Sequence, residues 1–283
     1  MEIKWHDDTL AKMNVNEKNG VTFLTYPALE QIPDIVHCFT TRLGGVSQGV
    51  CSSMNLSFTR GDREDAVREN YRRIADAVGF DVEDIVTSDQ THTANVRAVT
   101  EKDRGSGITR PRGYADVDGM VTNVPGLVLA AFYADCVPLY FVDPVHHAIG
   151  LSHSGWRGTV GRIGLVTIRK MEEEYGTDPA DVLAAIGPSI CQDCYEVSED
   201  VIRQFCNVFP KDQWPALFYP KENGKYQLNL WEANRRILTD AGVRPENISL
   251  PNLCTCCNPD FLFSHRATQG RRGNLAAFLG LRR

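Results

Sequence analysis

No apolar run in this chain approaches the roughly 20 residues that a membrane-crossing helix needs. The longest candidate, Gly126 to Val142, is interrupted by Asp135 and Pro138. The N-terminus carries Glu2, His6, Asp7 and Asp8 where a signal peptide would carry positive charge and then an apolar stretch, so a cytosolic (cytoplasmic) protein is expected. Positive charge is not in excess either. A formal net charge of -6 argues against a general nucleic-acid binder but allows a local basic site for a small anion. Repeats, low-complexity tracts and Pro/Gly/Ser linkers are missing, so residues 1–283 are expected to form one domain. Nine cysteines are too sparse for a disulfide-built scaffold and read as core thiols or metal ligands.

What is present alternates between strand-like and helical patterns. Val36 to Thr41 reads as a strand before the glycine-bearing loop Arg42-Leu43-Gly44-Gly45. Asp62 is placed to cap a helix carrying Val67, Tyr71, Ile74 and Val78, which Gly79 ends. Strands are expected at 84–87, 95–99, 117–122, 127–133, 137–142 and 148–152. A helix is expected from Gly158 to Tyr175, and two more are expected after Ser198 and Asn229. The pattern predicts a mixed α/β (α+β) fold of layered mixed sheets flanked by helices.

The central stretch carries the chemistry. A hairpin centred on Val145 makes opposed residue numbers sum to 290, so Val137 faces His153 and Cys136 lies one residue beyond. A small irregularity before Pro138 would then bring the Cys136 sulfur and the His153 ring into one site. His92 follows Ser88-Asp89-Gln90-Thr91 in another polar break. Catalytic zinc sites take three such ligands and keep a fourth position open. On spacing alone, a core thiol with two satisfied histidines is the plainer reading. Beyond His153, Ser154 to Thr159 leads into a helix whose N-terminus, with Arg157, suits a phosphate-sized anion; a surface ion pair is the competing role for Arg157.

Five motifs taken together are specific. They are Thr40-Thr41-Arg42-Leu43-Gly44-Gly45-Val46-Ser47, Asp89-Gln90-Thr91-His92, Ala134-Asp135-Cys136-Val137-Pro138, His153-Ser154-Gly155-Trp156-Arg157-Gly158-Thr159 and Ile186-Gly187-Pro188-Ser189-Ile190. In order from about Val36 to the C-terminus, they resemble the YfiH/YlmD family, also called the laccase-domain or polyphenol-oxidase family, which includes human FAMIN. The resemblance implies a layered fold shared with a toxin deamidase domain, and a zinc-dependent enzyme. Such an enzyme cleaves adenosine, inosine and 5'-methylthioadenosine with phosphate, and it can also deaminate adenosine. It implies His92, Cys136 and His153 as metal ligands. The stretch Cys51-Ser52-Ser53-Met54-Asn55-Leu56-Ser57 departs from the usual Tyr-x-Ser-Leu-Asn-Leu-Gly, although Asn55 is kept.

On that reading, a purine nucleoside and phosphate are the partners, with Arg42, Asn55 and Arg157 expected on the substrate or phosphate. Asp135 and Asp118 are the nearest carboxylates in sequence for proton transfer or for orienting a ligand histidine, and for Asp135 the orienting role is ranked ahead of proton transfer. Seven histidines, with His6 near the terminus and His146-His147 in a turn, are too few for a trinuclear copper cluster. Copper uptake by the three-ligand site in vitro would still be unsurprising. A rival reading makes Cys136 a nucleophile with a histidine base, in an amidase editing peptidoglycan precursors. Cys191, Cys194, Cys254, Cys256 and Cys257 read either as free thiols or as a second, structural zinc site.

Overall fold

The computed structural model describes residues 2–283. Its strands in chain order are β1 (Asn14–Lys18), β2 (Val21–Thr25), β3 (Ile35–Thr40), β4 (Ile85–Thr87), β5 (Val96–Ala98), β6 (Gly119–Thr122), β7 (Val128–Tyr133) and β8 (Val137–Asp143). There follow β9 (Ala148–Ser154), β10 (Leu183–Ile186), β11 (Glu196–Val197), β12 (Phe218–Pro220), β13 (Tyr226–Leu228), β14 (Ile248–Ser249) and β15 (Leu275–Leu281). The helices are α1 (Pro27–Glu30), α2 (Glu64–Val78), α3 (Trp156–Val160), α4 (Ile163–Tyr175), α5 (Glu199–Val208), α6 (Trp214–Leu217) and α7 (Leu230–Asp240).

Alternation of side chains along the strands builds the layers. One six-stranded sheet runs β1-β2-β3-β15-β7-β4, and a second runs β14-β10-β8-β9-β6-β5. Along β7, Leu129, Ala131 and Tyr133 share a core with Tyr140, Ile149 and Leu151 of the second sheet. The alternate residues Val128 and Ala130 pack with Val67, Tyr71 and Ile74 of α2. In the second sheet Val137, Leu139 and Phe141 cluster with Ile168 and Met171 of α4 and with Ile237 of α7. The order is helix, sheet, sheet, helix, with parallel and antiparallel pairs in both sheets. This is the mixed α/β class that the patterning predicts.

Three local expectations need correction. The β8–β9 hairpin pairs Val137 with Ser154 and Pro138 with His153, one step from the expected register. Asp143 sets that register, because its Oδ1 accepts from the amides of Val145 at 2.9 Å and His146 at 3.0 Å, which centres the turn after Val145. No irregularity before Pro138 is then required. Asp62 does not cap α2, since its carboxylate accepts from Asn55 Nδ2 at 2.8 Å and Arg63 takes the cap position. The helix expected from Gly158 to Tyr175 is two helices, broken at Gly161 and at Arg162, where φ is 55°.

A buried histidine ties this fold to pH. His37 on β3 is 5% exposed, and its Nε2 accepts from the Tyr26 amide at 2.8 Å. Burial lowers it to about 4, against a weaker upward pull from Glu30. The neutral form is therefore the folded form. Stability is full above the ordinary value of 6.5 and falls as pH drops toward 4, by about 3 kcal/mol in all. Chemical denaturation between pH 7 and 4 should show that slope, and His37→Gln, which keeps an acceptor without the charge, should flatten it.

Candidate metal centre and its arginine-lined cleft

Two chain segments cross from the first sheet to the second at the same rim. One joins β4 to β5 and carries His92; the other joins β7 to β8 and carries Cys136. His153 lies near the end of β9, opposite Pro138. One donor atom from each of the three falls within 4.8 Å of the others. The two imidazoles meet edge to face, with centroids 4.9 Å apart and planes at 83°. His153 is buried, Cys136 half-buried and His92 exposed, so the group opens to solvent on the His92 side.

Asp118, fully buried just before β6, organises the group. Its Oδ1 lies 2.8 Å from His153 Nδ1 and also accepts from the His92 amide at 3.2 Å. Its Oδ2 accepts from the amides of Thr91 at 3.0 Å and Thr93 at 2.9 Å. A carboxylate only accepts, so Nδ1 of His153 carries the proton and Nε2 is left for the site. Burial pushes the Asp118 carboxyl up, but the bond from His153 and those amides outweigh it and hold it at about 2. Burial also opposes charge on His153, yet Cys136 and Asp118 raise it to about 9, so without a metal Nε2 also holds a proton, which a bound ion displaces. For Cys136, burial raises the thiol, and the two histidines overcome it and bring it to about 6. Cys136 is thus a thiolate at neutral pH. Two imidazoles and a thiolate suit a borderline-soft divalent ion.

Gly155 completes the centre by having no side chain. A Cβ there would lie 3.1 Å from His92 Cδ2 and 3.2 Å from Cys136 Sγ. Gly155→Ala should therefore push one donor aside by a few tenths of an ångström. We expect metal affinity to drop roughly tenfold, with little change in thermal stability, when measured by chelator competition and calorimetry.

A cleft of about 940 Å³ opens onto all three donors. Its walls include Arg60, Arg112, Arg272, Phe132 and Tyr114. Arg112 is committed to Asp89 at 2.7 Å. Arg272 differs: it is 9% exposed, and its Nε has no hydrogen-bond partner among the described residues. Burial, with the charge of Arg60 added, lowers its guanidinium to about 10, so it stays charged at neutral pH. A charged guanidinium in the cleft wall, with a buried and unpaired Nε, suits an anion.

The structure reassigns several residues expected in the site. Arg42 is a brace and lies outside the cleft lining: its guanidinium donates to the Ser52 and Pro259 carbonyls and stacks 4.7 Å from the Phe263 ring. Asn55 is fully buried, and its amide bonds to Ser57, Asp62 and Asn274, so it shapes the cleft loop without facing it. Asp135 does not orient a histidine; that carboxylate is Asp118. With φ at 87°, Asp135 instead accepts from Thr255 Oγ1 and from the Arg266 amide, each at 2.6 Å. Arg157 is exposed, stacks 4.3 Å from the Trp156 ring and lies outside the cleft lining. From sequence, Arg272 stands out only as part of a basic tail segment with Arg266 and Arg271, and Arg60 not at all.

The chain is 38% identical over 250 residues to purine nucleoside phosphorylase YlmD of Bacillus subtilis, covering 88% of this chain and 89% of that protein. It is 35% identical over 233 residues to adenosine deaminase RL5 from an unknown prokaryotic organism, covering 82% and 88%. The crystal structure of Bacillus licheniformis hypothetical protein YfiH superposes with a TM-score of 0.88 at 34% identity, covering 94% of this chain and 98% of that one. With residues 36–282 also matching the family described as multi-copper polyphenol oxidoreductase laccase, the chain belongs to the YlmD/YfiH family of purine nucleoside phosphorylase homologues.

Proposed function

We propose that the chain is a zinc-dependent purine nucleoside phosphorylase acting on adenosine, inosine and 5'-methylthioadenosine, with adenosine deamination as a second reaction of the same cleft. The observation that carries the reading is the meeting of His92, Cys136 and His153 in a cleft whose wall holds the charged Arg272, its Nε unpaired. The names of the relatives supply the reaction class. Zinc held by the three donors would place positive charge beside the reacting oxygen atoms. Arg272, with Arg60 at the cleft mouth, binds the phosphate and aims an oxygen at C1' of the ribose. The new bond is phosphate oxygen to C1'; the bond from C1' to the purine nitrogen breaks, and its electron pair leaves with the base. Phe132 and Tyr114 offer apolar faces to the purine.

Multicopper oxidation has little support in the donor set. Among the described residues, the groups able to hold an ion contain His92 and His153 in one case and His6 in another. That is far from a histidine-rich copper cluster. A hydrolase reading has a specific observation in its favour, since Asp118, His153 and a Cys136 thiolate line up as orienting carboxylate, base and nucleophile. Metal occupancy separates the two, because a thiolate on zinc is not free to attack. Cys136→Ala is expected to lose the bound zinc; full zinc content in that variant would favour the nucleophile. Zinc-loaded protein incubated with adenosine should give adenine and ribose 1-phosphate only when phosphate is present. Inosine would report deamination, and unchanged adenosine in both arms would overturn the proposal.

A further inference from the structure

A second group of thiols lies apart from the cleft. Cys191, Cys194, Cys254 and Cys257 place all four sulfurs within 4.8 Å of one another. Cys257 Sγ is 3.5 Å from that of Cys194 and 4.0 Å from that of Cys191. All four are free thiols. An ion bound tetrahedrally through sulfur bonds of about 2.3 Å sets the sulfurs about 3.8 Å apart. The two separations from Cys257, 3.5 and 4.0 Å, bracket that value. The group is too tight to enclose a multi-iron cluster, and it suits one thiophilic ion.

The chain prepares the group locally. The structure selects Cys257 over Cys256, so the motif is Cys-x2-Cys twice, 191–194 and 254–257. The first pair brackets a 3-10 turn, Gln192–Cys194, and the second lies in a tight turn. The Cys191 amide donates to Cys254 Sγ at 3.2 Å, the kind of bond that steadies a thiolate. A bridge between Ser189 and Cys254, with the Thr255 amide on the Ser189 carbonyl at 3.1 Å, holds the turns face to face. Cys191 and Cys254 are each 1% exposed, while Cys194 and Cys257 are half-buried and leave an entry path. A three-donor alternative, His6 with Cys191 and Asp193, shares Cys191 and has two exposed members.

We propose that Cys191, Cys194, Cys254 and Cys257 bind a second, structural zinc ion. Four neutral thiols gain little by meeting at one point, since each is a weak donor and a small apolar group. One divalent ion satisfies all four as thiolates. Its place in the fold gives it a task. Thr255, inside the second turn, holds Asp135 Oδ1, and Ile190, beside the first, donates its amide to the Asp135 carbonyl at 3.0 Å. Asp135 precedes Cys136, so the ion fixes the backbone that presents the thiolate to the cleft.

The test is metal counting on the full chain, kept reduced, with cobalt(II) alone as the probe after metal removal. The natural chain should take up two equivalents, one of them with the intense thiolate-to-cobalt absorption of a four-sulfur site. Cys136→Ala should lose one equivalent and keep that absorption. Cys194→Ser/Cys257→Ser should lose the absorption and one equivalent, with Cys256→Ser unchanged as the control. Uptake of a single equivalent with no four-sulfur spectrum overturns the proposal, as does unaltered binding by the double variant. If the double variant does not fold, the Cys136→Ala measurement decides alone. The count at the cysteines is independent of nucleoside turnover, so failure of either proposal leaves the other readable.

Discussion

Replacing Arg272 by methionine should lower kcat/KM for phosphate by roughly 100-fold and leave the protein folded. The guanidinium is buried in the cleft wall, and its protein partner is the Gly273 carbonyl at 3.3 Å, with Nε buried and unpaired. A charge held this way lowers stability in the free protein, so removing it should leave the melting temperature unchanged or higher. The loss should fall on the step that uses the anion. Phosphorolysis at varied phosphate should therefore show a raised KM, while deamination in phosphate-free buffer should keep most of its rate. Arg42→Met is the contrasting variant. Arg42 clamps the Ser52 and Pro259 carbonyls, so its loss should appear in stability before it appears in phosphate dependence. If Arg272→Met leaves phosphate kinetics intact, the anion subsite belongs near Arg60, the other free cation of the cleft wall among the described residues.

The difference between Arg42 and Arg272 shows what the sequence could and could not express. The strands at 128–133, 137–143 and 148–154 are legible because unbroken apolar runs of strand length are flanked by turn residues. The hairpin they form brings Cys136 and His153 together even with the register misjudged by one, since proximity survives such an error and side-chain facing does not. β1 is polar, and the strands of the small β11–β13–β12 sheet are only two or three residues long, so each offers little pattern to read. The role of a carboxylate is less legible still. Asp135 adjoins Cys136 in sequence, but backbone φ of 87° turns it toward Thr255 and Arg266. Asp118 stands 35 residues from His153 and reaches it only because β6 pairs with β9. Sequence adjacency favours the wrong aspartate; strand pairing selects the right one.

That pairing makes Asp118→Asn the most informative substitution at the metal centre. One oxygen of the asparagine can still accept from the amides of Thr91 and Thr93, which would leave its NH2 facing His153 Nδ1. A donor there forces Nδ1 to accept, and the ring proton moves to Nε2, the nitrogen on the site side. Zinc affinity should then fall about 10- to 100-fold, and turnover with it at limiting zinc. Competition with a chromogenic chelator measures the first, and phosphorolysis at graded zinc the second. The apo protein should also melt earlier, because a carboxylate that meets five donors is replaced by a group that matches only some of them. The two effects separate the roles. A lower melting temperature with unchanged zinc affinity would make Asp118 a brace for the His92 loop alone. A loss of affinity that excess zinc repairs would identify it as the group that sets the His153 tautomer.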